Sequence, residues 1–94
     1  MSKDGTYIIA YDIKDDKERN RVSKVLSGYG FRVQKSVFEC RLTRSSLAKI
    51  NTKLEELEIC TGCILIYRLN QNAKRLKIGE CPGIRDEEEY AFVV

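Results

Sequence analysis

TYIIAYDI, residues 6–13, is the segment from which the architecture of this sequence can be predicted. Aromatic and β-branched residues follow one another here without a Gly or Pro, which is typical of a β-strand. Alternate residues of a strand face opposite sides, and both sides of this one are apolar until Asp12. We therefore expect a central strand in a sheet that is covered on both faces.

A helix is predicted directly after this strand. Asp15 is a candidate N-cap, and Glu18, three residues later, is placed to complete a capping box. Gly28 and Gly30 end the helix, and Gly30 suits a left-handed C-terminal position. The apolar stripe at helical spacing consists of Val22, Val25, Leu26 and Tyr29.

Two further strands and a second helix are predicted next. FRVQKSVFECRL, residues 31–42, alternates in polarity and is interrupted at its centre, which favours strands at 31–35 and 37–42 with a tight turn or bulge between them. Thr43 or Ser45 then caps a helix that runs to about Glu58. Its apolar stripe is Leu47, Ile50, Leu54 and Leu57.

The last third of the chain predicts more strands. CILIYRL, residues 63–69, is a continuous apolar run, residues 73–79 form a weak basic strand, and YAFVV, residues 90–94, forms a terminal strand.

The predicted order β-α-β-β-α-β is that of an α+β, ferredoxin-like fold: one antiparallel sheet with two helices on one face, here followed by an extra C-terminal strand. Ninety-four residues make a single domain, 1–94. One face of such a sheet would stay bare, so its apolar character predicts a homodimer packed through the sheets. The tail, from about residue 80 to 94, would then pair with the partner subunit.

Charge is unevenly distributed along the chain. Residues 1–79 contain 16 Lys and Arg against 9 Asp and Glu, whereas residues 80–94 contain one Arg and five acids. A basic body suits a polyanionic partner such as nucleic acid. The sequence contains no His, which excludes imidazole general bases and His-ligated metals. No apolar run reaches the roughly 20 residues that span a bilayer, and no signal segment opens the sequence, so we expect a cytoplasmic protein without membrane association.

The four cysteines are expected to be small buried hydrophobes. Cys60 and Cys63 form a C-x-x-C pair, but no second pair accompanies them, as a zinc site would require. A disulfide is the minor alternative.

Asp12 is the candidate centre of the chemistry because it ends an otherwise apolar strand just before a helix. One interpretation is structural: an Asx turn or a cap that helps Asp15. The other is a magnesium carboxylate, since Mg²⁺ binds through one or two carboxylates, waters and substrate phosphates. A two-fold axis near the strand end would bring two Asp12 side chains together around one cation.

Basic residues surround this part of the sequence. Arg19 and Arg21 fall on the first helix outside its apolar stripe, Arg32 opens the next strand, and Lys35 lies at the turn. Guanidinium groups suit phosphate oxygens, so these four residues are candidates for nucleic-acid binding. Each alone is better explained as a solvated surface residue, but their clustering near Asp12 in the sequence favours a shared role.

YDIKDDKERNRV, residues 11–22, and GYGFRVQKSVFEC, residues 28–40, resemble the small CRISPR-associated adaptation nuclease family. This family is the second of the two proteins shared by CRISPR spacer-acquisition systems. The resemblance implies a ferredoxin-like homodimer with Asp12 as the catalytic carboxylate that binds Mg²⁺, or Mn²⁺, at the dimer interface.

The same resemblance carries functional positions over to this chain. It matches Arg19, Arg21, Arg32 and Phe38, with Ser36 nearby, and Phe38 is expected to set strand and interface geometry rather than to react. Lys35 stands where the family often has Tyr.

Three functions follow as hypotheses. The first is a metal-dependent endonuclease that hydrolyses single-stranded RNA or double-stranded DNA in spacer acquisition for antiviral defence. The second is a non-catalytic scaffold that binds duplex DNA and bridges copies of the CRISPR integrase. The third is a ferredoxin-like regulatory module that binds a small molecule, for which the sequence shows no pocket motif.

Overall fold

The computed structural model describes residues 4–81. The predicted strand at 90–94 and most of the tail proposed to pair with a partner lie outside the described residues. No helix within residues 4–81 is long and apolar enough to cross a membrane. In chain order the elements are β1 (Gly5–Ile13), α1 (Asp16–Ser27), β2 (Gly30–Gln34), β3 (Val37–Leu42), α2 (Arg44–Glu56) and β4 (Gly62–Arg68).

The four strands form one antiparallel sheet in the order β2-β3-β1-β4. β1 is therefore central, as its apolar sequence predicts, and β2 and β4 are the edges of the described sheet. The β2–β3 hairpin contains the predicted irregularity, a register shift between Arg32 and Gln34. This arrangement confirms the predicted α+β, ferredoxin-like fold.

The core lies between the sheet and the two helices. Every second residue of β1, from Tyr7 to Ile13, is buried on the helix-covered face. Both predicted helix stripes supply the opposing side chains, which confirms their assignment. The fully buried residues at the centre are Ile9, Val22, Leu26, Phe38, Cys40 and Ile50.

The helix boundaries follow the predicted caps with one exception. Asp15 caps α1 by accepting from the Glu18 backbone N–H at 3.0 Å, and Thr43 caps α2. The left-handed role expected of Gly30 is wrong, since α1 ends at Gly28 in a right-handed conformation and Gly30 begins β2. A Cβ at Gly30 would lie 2.2 Å from the carbonyl oxygen of Glu39, so this glycine permits β2 to approach β3 closely.

The sheet face that carries no helix is called here the open face. Ile8 and Ala10 of β1 are half-buried on it, while Leu65 and Tyr67 of β4 remain 50% and 54% exposed. These side chains give the open face the apolar character that predicts a second copy. The dimer itself stays a prediction.

Residues 73–79 do not form the predicted strand. Within the described part of the chain they run without regular structure, and Arg75 pairs with the buried carboxylate of Glu39 on β3. A groove of about 640 Å³ lies beside this pair and is lined by Thr6, Ile8, Arg41 and Arg68 among others. It occupies the end of the open face opposite to Asp12, because Thr6 is at the start of β1 and Asp12 near its end.

Candidate functional site

Asp12 lies on the open face at the C-terminal end of β1 and is exposed. Its neighbours Tyr11 and Ile13 are buried on the opposite face, so the strand alternation alone turns the carboxylate away from the helices. The N-cap position of α1 belongs to Asp15. Asp12 therefore does not serve as the cap that the structural interpretation assigned to it.

The backbone at Asp12 is held by the neighbouring edge strand. Asp12 is paired with Cys63 and Ile13 with Gly62, and the Lys14 N–H donates to the Thr61 carbonyl at 3.2 Å. A Cβ at Gly62 would stand 1.8 Å from the Asp12 carbonyl oxygen. Only a glycine at position 62 lets β4 approach this closely, so Gly62 helps to set the position of Asp12.

Glu18 ties the start of α1 to the turn that precedes β4. Its buried carboxylate accepts from the Cys60 N–H at 2.9 Å, the Thr61 N–H at 3.0 Å and the Thr61 hydroxyl at 2.6 Å. The Thr61 hydroxyl, and to a smaller extent the Cys60 N–H, lower the pKa of Glu18 below its usual value. Glu18 is thus held as a carboxylate at neutral pH.

The capping box predicted from Asp15 and Glu18 is half wrong. Glu18 does not reach back to the Asp15 N–H. That N–H instead donates to the Thr61 hydroxyl oxygen at 3.0 Å, which leaves the Glu18 carboxylate for the turn before β4. Thr61 comes from a distant part of the chain, so the sequence pattern around α1 could not reveal it.

Arg19 lies at the turn between β1 and α1. Its Nη1 donates to the carbonyl oxygens of Ile13 and Lys14, both at 2.7 Å, and its guanidinium pairs with Asp16. These contacts bring Arg19 to the residues that directly follow Asp12. Most of its donors satisfy the protein itself, which gives it a role in holding the turn.

Arg32 and Phe38 lie on the other side of the sheet from Asp12. Phe38 is fully buried under the helices and stacks with Tyr11 at 6.5 Å between ring centroids. Arg32 is paired with it across the β2–β3 hairpin and places its guanidinium 5.3 Å from the ring centroid. The Arg32 Nη2 also donates to the Ser23 hydroxyl at 2.5 Å.

The remaining predicted residues divide between two places. Lys35 and Ser36 form the β2–β3 turn at the same end of the sheet as Asp12, because the Ser36 carbonyl accepts from the Tyr11 N–H at 3.0 Å. Arg21 is exposed on α1, where its charge contributes to the lowered pKa of Glu18. The structure thus brings Asp12, Lys35 and Ser36 to one end of the sheet, Arg19 to the adjoining turn, and Arg32 to the helix side.

The expectation that the cysteines are buried is correct only for Cys40. Cys60 and Cys63 are exposed, and Cys81 is half-buried. Cys63 is exposed because β4 is an edge strand of the described sheet, where an apolar sequence does not produce full burial, whereas Cys60 and Cys81 lie outside the strands. Burial raises the pKa of the Cys40 thiol to about 11, with the nearby Glu39 as a smaller cause.

The residues around Asp12 supply only part of the oxygen ligands that a magnesium ion needs. Among residues 4–81, no three Cys, Asp or Glu side chains converge on one point, so one chain supplies Asp12 as the oxygen ligand. Magnesium accepts such a site because it keeps several waters and takes further oxygens from phosphate. The donor set of a single chain is therefore sufficient only together with substrate or a second copy.

Comparison with known proteins identifies the family. The chain is 43% identical over 88 residues to the CRISPR-associated endoribonuclease Cas2 3 of Chloroflexus aurantiacus, covering 93% of this chain and 95% of that protein. It is 39% identical over 62 residues to a CRISPR-associated endoribonuclease Cas2 of Mycobacterium tuberculosis, covering 66% of this chain and 55% of that protein. The chain spans about half the length of the first curated relatives that it matches.

Solved structures show the same likeness. A hypothetical protein from Thermus thermophilus superposes with a TM-score of 0.73 at 32% identity, covering 83% of this chain and 96% of that one. Cas2 of Streptococcus pyogenes, crystallised at pH 6.5, gives a TM-score of 0.65 at 32% identity, with coverage of 71% and 88%.

A chain of a partial Cas6-RT-Cas1–Cas2 complex gives a TM-score of 0.55 at 32% identity, covering 77% of this chain and 82% of that one. The sequence profile of the family described as CRISPR associated protein Cas2 matches residues 6–76. The chain therefore belongs to the CRISPR-associated protein Cas2 family.

Proposed function

We propose that this protein is a divalent-metal-dependent endonuclease that hydrolyses phosphodiester bonds during CRISPR spacer acquisition. The relatives named endoribonucleases support nuclease chemistry. The observation that carries the proposal is the exposed Asp12 carboxylate on the open face, which has no capping role and ends the central strand of the sheet.

The active form in this proposal is a homodimer through the open faces. Leu65 and Tyr67 are half-exposed there, and burying them would remove apolar surface from water. A two-fold axis near the end of β1 would place two Asp12 carboxylates next to each other. Such a pair repels unless a cation lies between the two groups, so the dimer and the metal site support each other.

A bound Mg²⁺ or Mn²⁺ would polarise the phosphodiester and lower the pKa of an attacking water. Asp12 would hold the ion and keep the scissile phosphate at the dimer axis. Lys35 is exposed at the same end of the sheet as Asp12 and would bind a flanking phosphate. Arg21 is exposed on α1, on the helix side, and would bind phosphates of nucleic acid that reaches around the edge of the sheet.

The other candidate residues act through geometry. Arg19 holds the turn that follows Asp12 through its bonds to the carbonyls of residues 13 and 14. Phe38 supports β1 from the core, and Ser36 supports it through its carbonyl. Arg32, on the helix side, would contact only nucleic acid that wraps around the edge of the sheet.

Incubation of the purified protein with labelled single-stranded RNA and with labelled duplex DNA tests this function. We expect cleavage of at least one substrate with Mg²⁺ and none with a chelator. Size measurement in solution at the same protein concentration should give twice the mass of one chain. Cleavage by a monomer, or cleavage that persists in chelator, would contradict the proposal.

A second candidate function is a duplex-DNA scaffold for the CRISPR integrase. It is favoured by the likeness to a chain of a partial Cas6-RT-Cas1–Cas2 complex, and by the basic body of this chain. In that case Asp12→Ala would leave duplex-DNA binding and spacer acquisition in cells unchanged, whatever its effect on cleavage by the purified protein. Loss of both cleavage and spacer acquisition in Asp12→Ala would indicate that the cell requires the nuclease activity.

A further inference from the structure

Asp12 and Cys63 lie directly opposite each other on β1 and β4. Both residues are exposed, and residues opposed in an antiparallel pair have their side chains on the same face, here the open face. The Cβ atoms of such a pair lie about 5 Å apart. A single ion between the side chains can therefore take an oxygen at about 2.1 Å and a sulfur at about 2.3 Å.

We propose that Cys63 is a second metal ligand beside Asp12, and that the dimer binds thiophilic divalent cations of the zinc class through Asp12 and Cys63 of both copies. This inference rests on the dimer and on the metal-binding role of Asp12 in the proposed function. It adds a ligand of different chemistry to that site.

The chemistry of the donors determines which ion is preferred. Magnesium selects oxygen ligands, whereas thiolates select zinc and similar soft ions. One chain supplies two ligands, since no three such side chains converge within residues 4–81. Two copies supply two oxygens and two sulfurs, which is the number that a closed tetrahedral zinc site requires.

A closed site has a regulatory consequence. Tetrahedral zinc with four protein ligands leaves no position for water or for a phosphate oxygen, unlike a magnesium ion that retains several waters. Zinc would therefore inhibit magnesium-dependent cleavage by occupying the same place.

Cys60 is the obvious competing ligand because it forms a C-x-x-C pair with Cys63. Its Sγ donates to the Glu58 carbonyl at 3.4 Å, in the segment that precedes β4, while Cys63 lies within β4 opposite Asp12. Cys60 is also exposed, so Cys60→Ser is a matched control for Cys63→Ser.

Cobalt(II) titration of the reduced, metal-free full-length protein tests the inference by its absorption spectrum. We expect a sulfur-to-cobalt charge-transfer band that saturates at one cobalt for two chains. The band should disappear in Cys63→Ser, persist in Cys60→Ser, and require at least about tenfold more cobalt in Asp12→Asn. Absence of the band in the unmodified protein, its survival in Cys63→Ser, or its loss in Cys60→Ser would overturn the inference.

A second readout separates this inference from the proposed function. Zinc should inhibit magnesium-dependent cleavage by the unmodified protein, and Cys63→Ser should need at least about tenfold more zinc for the same inhibition. Failure of the nuclease proposal would appear as unchanged cleavage by Asp12→Asn, whatever the cobalt spectrum shows. Failure of the present inference would appear as equal zinc sensitivity of the unmodified protein and Cys63→Ser.

Discussion

The Glu18 carboxylate accepts a hydrogen bond from the Thr61 hydroxyl, with 2.6 Å between the two oxygens, and this bond joins the start of α1 to the turn before β4. The two residues are 43 positions apart in sequence. The turn continues into Gly62 and Cys63, which pair with the end of β1 at Ile13 and Asp12. The position of Asp12 therefore depends on a hydrogen bond made at some distance from it.

Glu18→Gln should make the free energy of unfolding less dependent on pH in the acidic range. In the unfolded chain Glu18 titrates near 4.5, and its folded pKa is lower, so its contribution is present above pH 4.5 and is lost as pH falls through the folded value. The variant should be less stable than the unmodified protein at neutral pH, because an amide nitrogen would face the donors of residues 60 and 61.

Urea unfolding between neutral pH and about pH 3 measures this effect. The difference in unfolding free energy between the two proteins should shrink below pH 4.5. Glu56→Gln, an exposed change on α2, should show no such trend. A difference between Glu18→Gln and the unmodified protein that stays constant down to the lowest pH would contradict the role of Glu18.

Gly62→Ala should lower the unfolding free energy by about 1–3 kcal/mol, the usual cost of forcing an added methyl group into a packed site. The reason is that the methyl carbon of an alanine here would lie 1.8 Å from the Asp12 carbonyl oxygen. Gly28→Ala is the control, because its Cβ would meet only the Val25 carbonyl at 3.5 Å. Equal stability of the two variants in urea unfolding would show that the approach of β4 to Asp12 is not tight.

Arg21→Ala should weaken nucleic-acid binding and reduce the slope of log affinity against log salt by about 0.7–0.9 for each phosphate that the side chain neutralises. The unfolding free energy should change only slightly, since Arg21 is exposed on α1 and its charge is the smallest of the causes that lower the pKa of Glu18. Arg21→Lys keeps the charge and should keep the slope. An unaltered slope in Arg21→Ala would remove Arg21 from the phosphate-binding residues.

Arg19→Ala should behave differently from Arg21→Ala. It removes the hydrogen bonds to the carbonyls of Ile13 and Lys14, so thermal unfolding should occur at a lower temperature. Arg19→Lys should restore the stability only in part, because an ammonium group lacks the planar fork that serves carbonyls and Asp16 together. An unchanged unfolding temperature in Arg19→Ala would show that Arg19 does not stabilise this turn and would leave phosphate binding as its remaining candidate role.

Cys40 should be nearly inert to alkylation in the folded protein. Its thiol pKa is raised to about 11 from 9.0, which by itself reduces the reactive thiolate about a hundredfold. Exposed Cys60 and Cys63 should react with iodoacetamide at neutral pH before Cys40 does, as followed by mass spectrometry. Equal rates for Cys40 and Cys60 in the folded protein would contradict the burial of β3.

Much of the fold can be predicted from local patterns in the sequence. The apolar run at residues 6–13, the two helix stripes and the caps Asp15 and Thr43 each depend on neighbours in sequence, and the structure confirms them. The wrong prediction of a strand at residues 73–79 concerns a segment whose structure depends on contacts with distant residues. Residues 73–79 are basic and alternate weakly, yet Arg75 pairs with Glu39 rather than joining a strand.

Less of the candidate site than of the fold can be predicted from the sequence. Asp12 could be selected from its place at the end of an apolar strand, but which sheet face carries the arginines depends on strand register. Arg32 shares the helix side with Phe38 because of the register of the β2–β3 hairpin, and Cys63 faces Asp12 because β4 pairs with β1 from a distant part of the chain. The burial of the cysteines could not be inferred either, since an apolar strand at a sheet edge has the same sequence pattern as a central one.

The role of Asp12 in the chemistry is measured by the magnesium-dependent cleavage of Asp12→Asn, compared with the unmodified protein and with the exposed control Asp4→Asn. The substrates are labelled RNA and duplex DNA under conditions in which all three proteins remain folded and equally bound to substrate. Loss of an outer-shell partner of a metal ligand alone costs about 10–100-fold, so we predict that Asp12→Asn, which changes the ligand itself, loses activity by at least that factor, while Asp4→Asn retains it. Equal cleavage by all three proteins would show that the carboxylate at the end of β1 does not perform the chemistry.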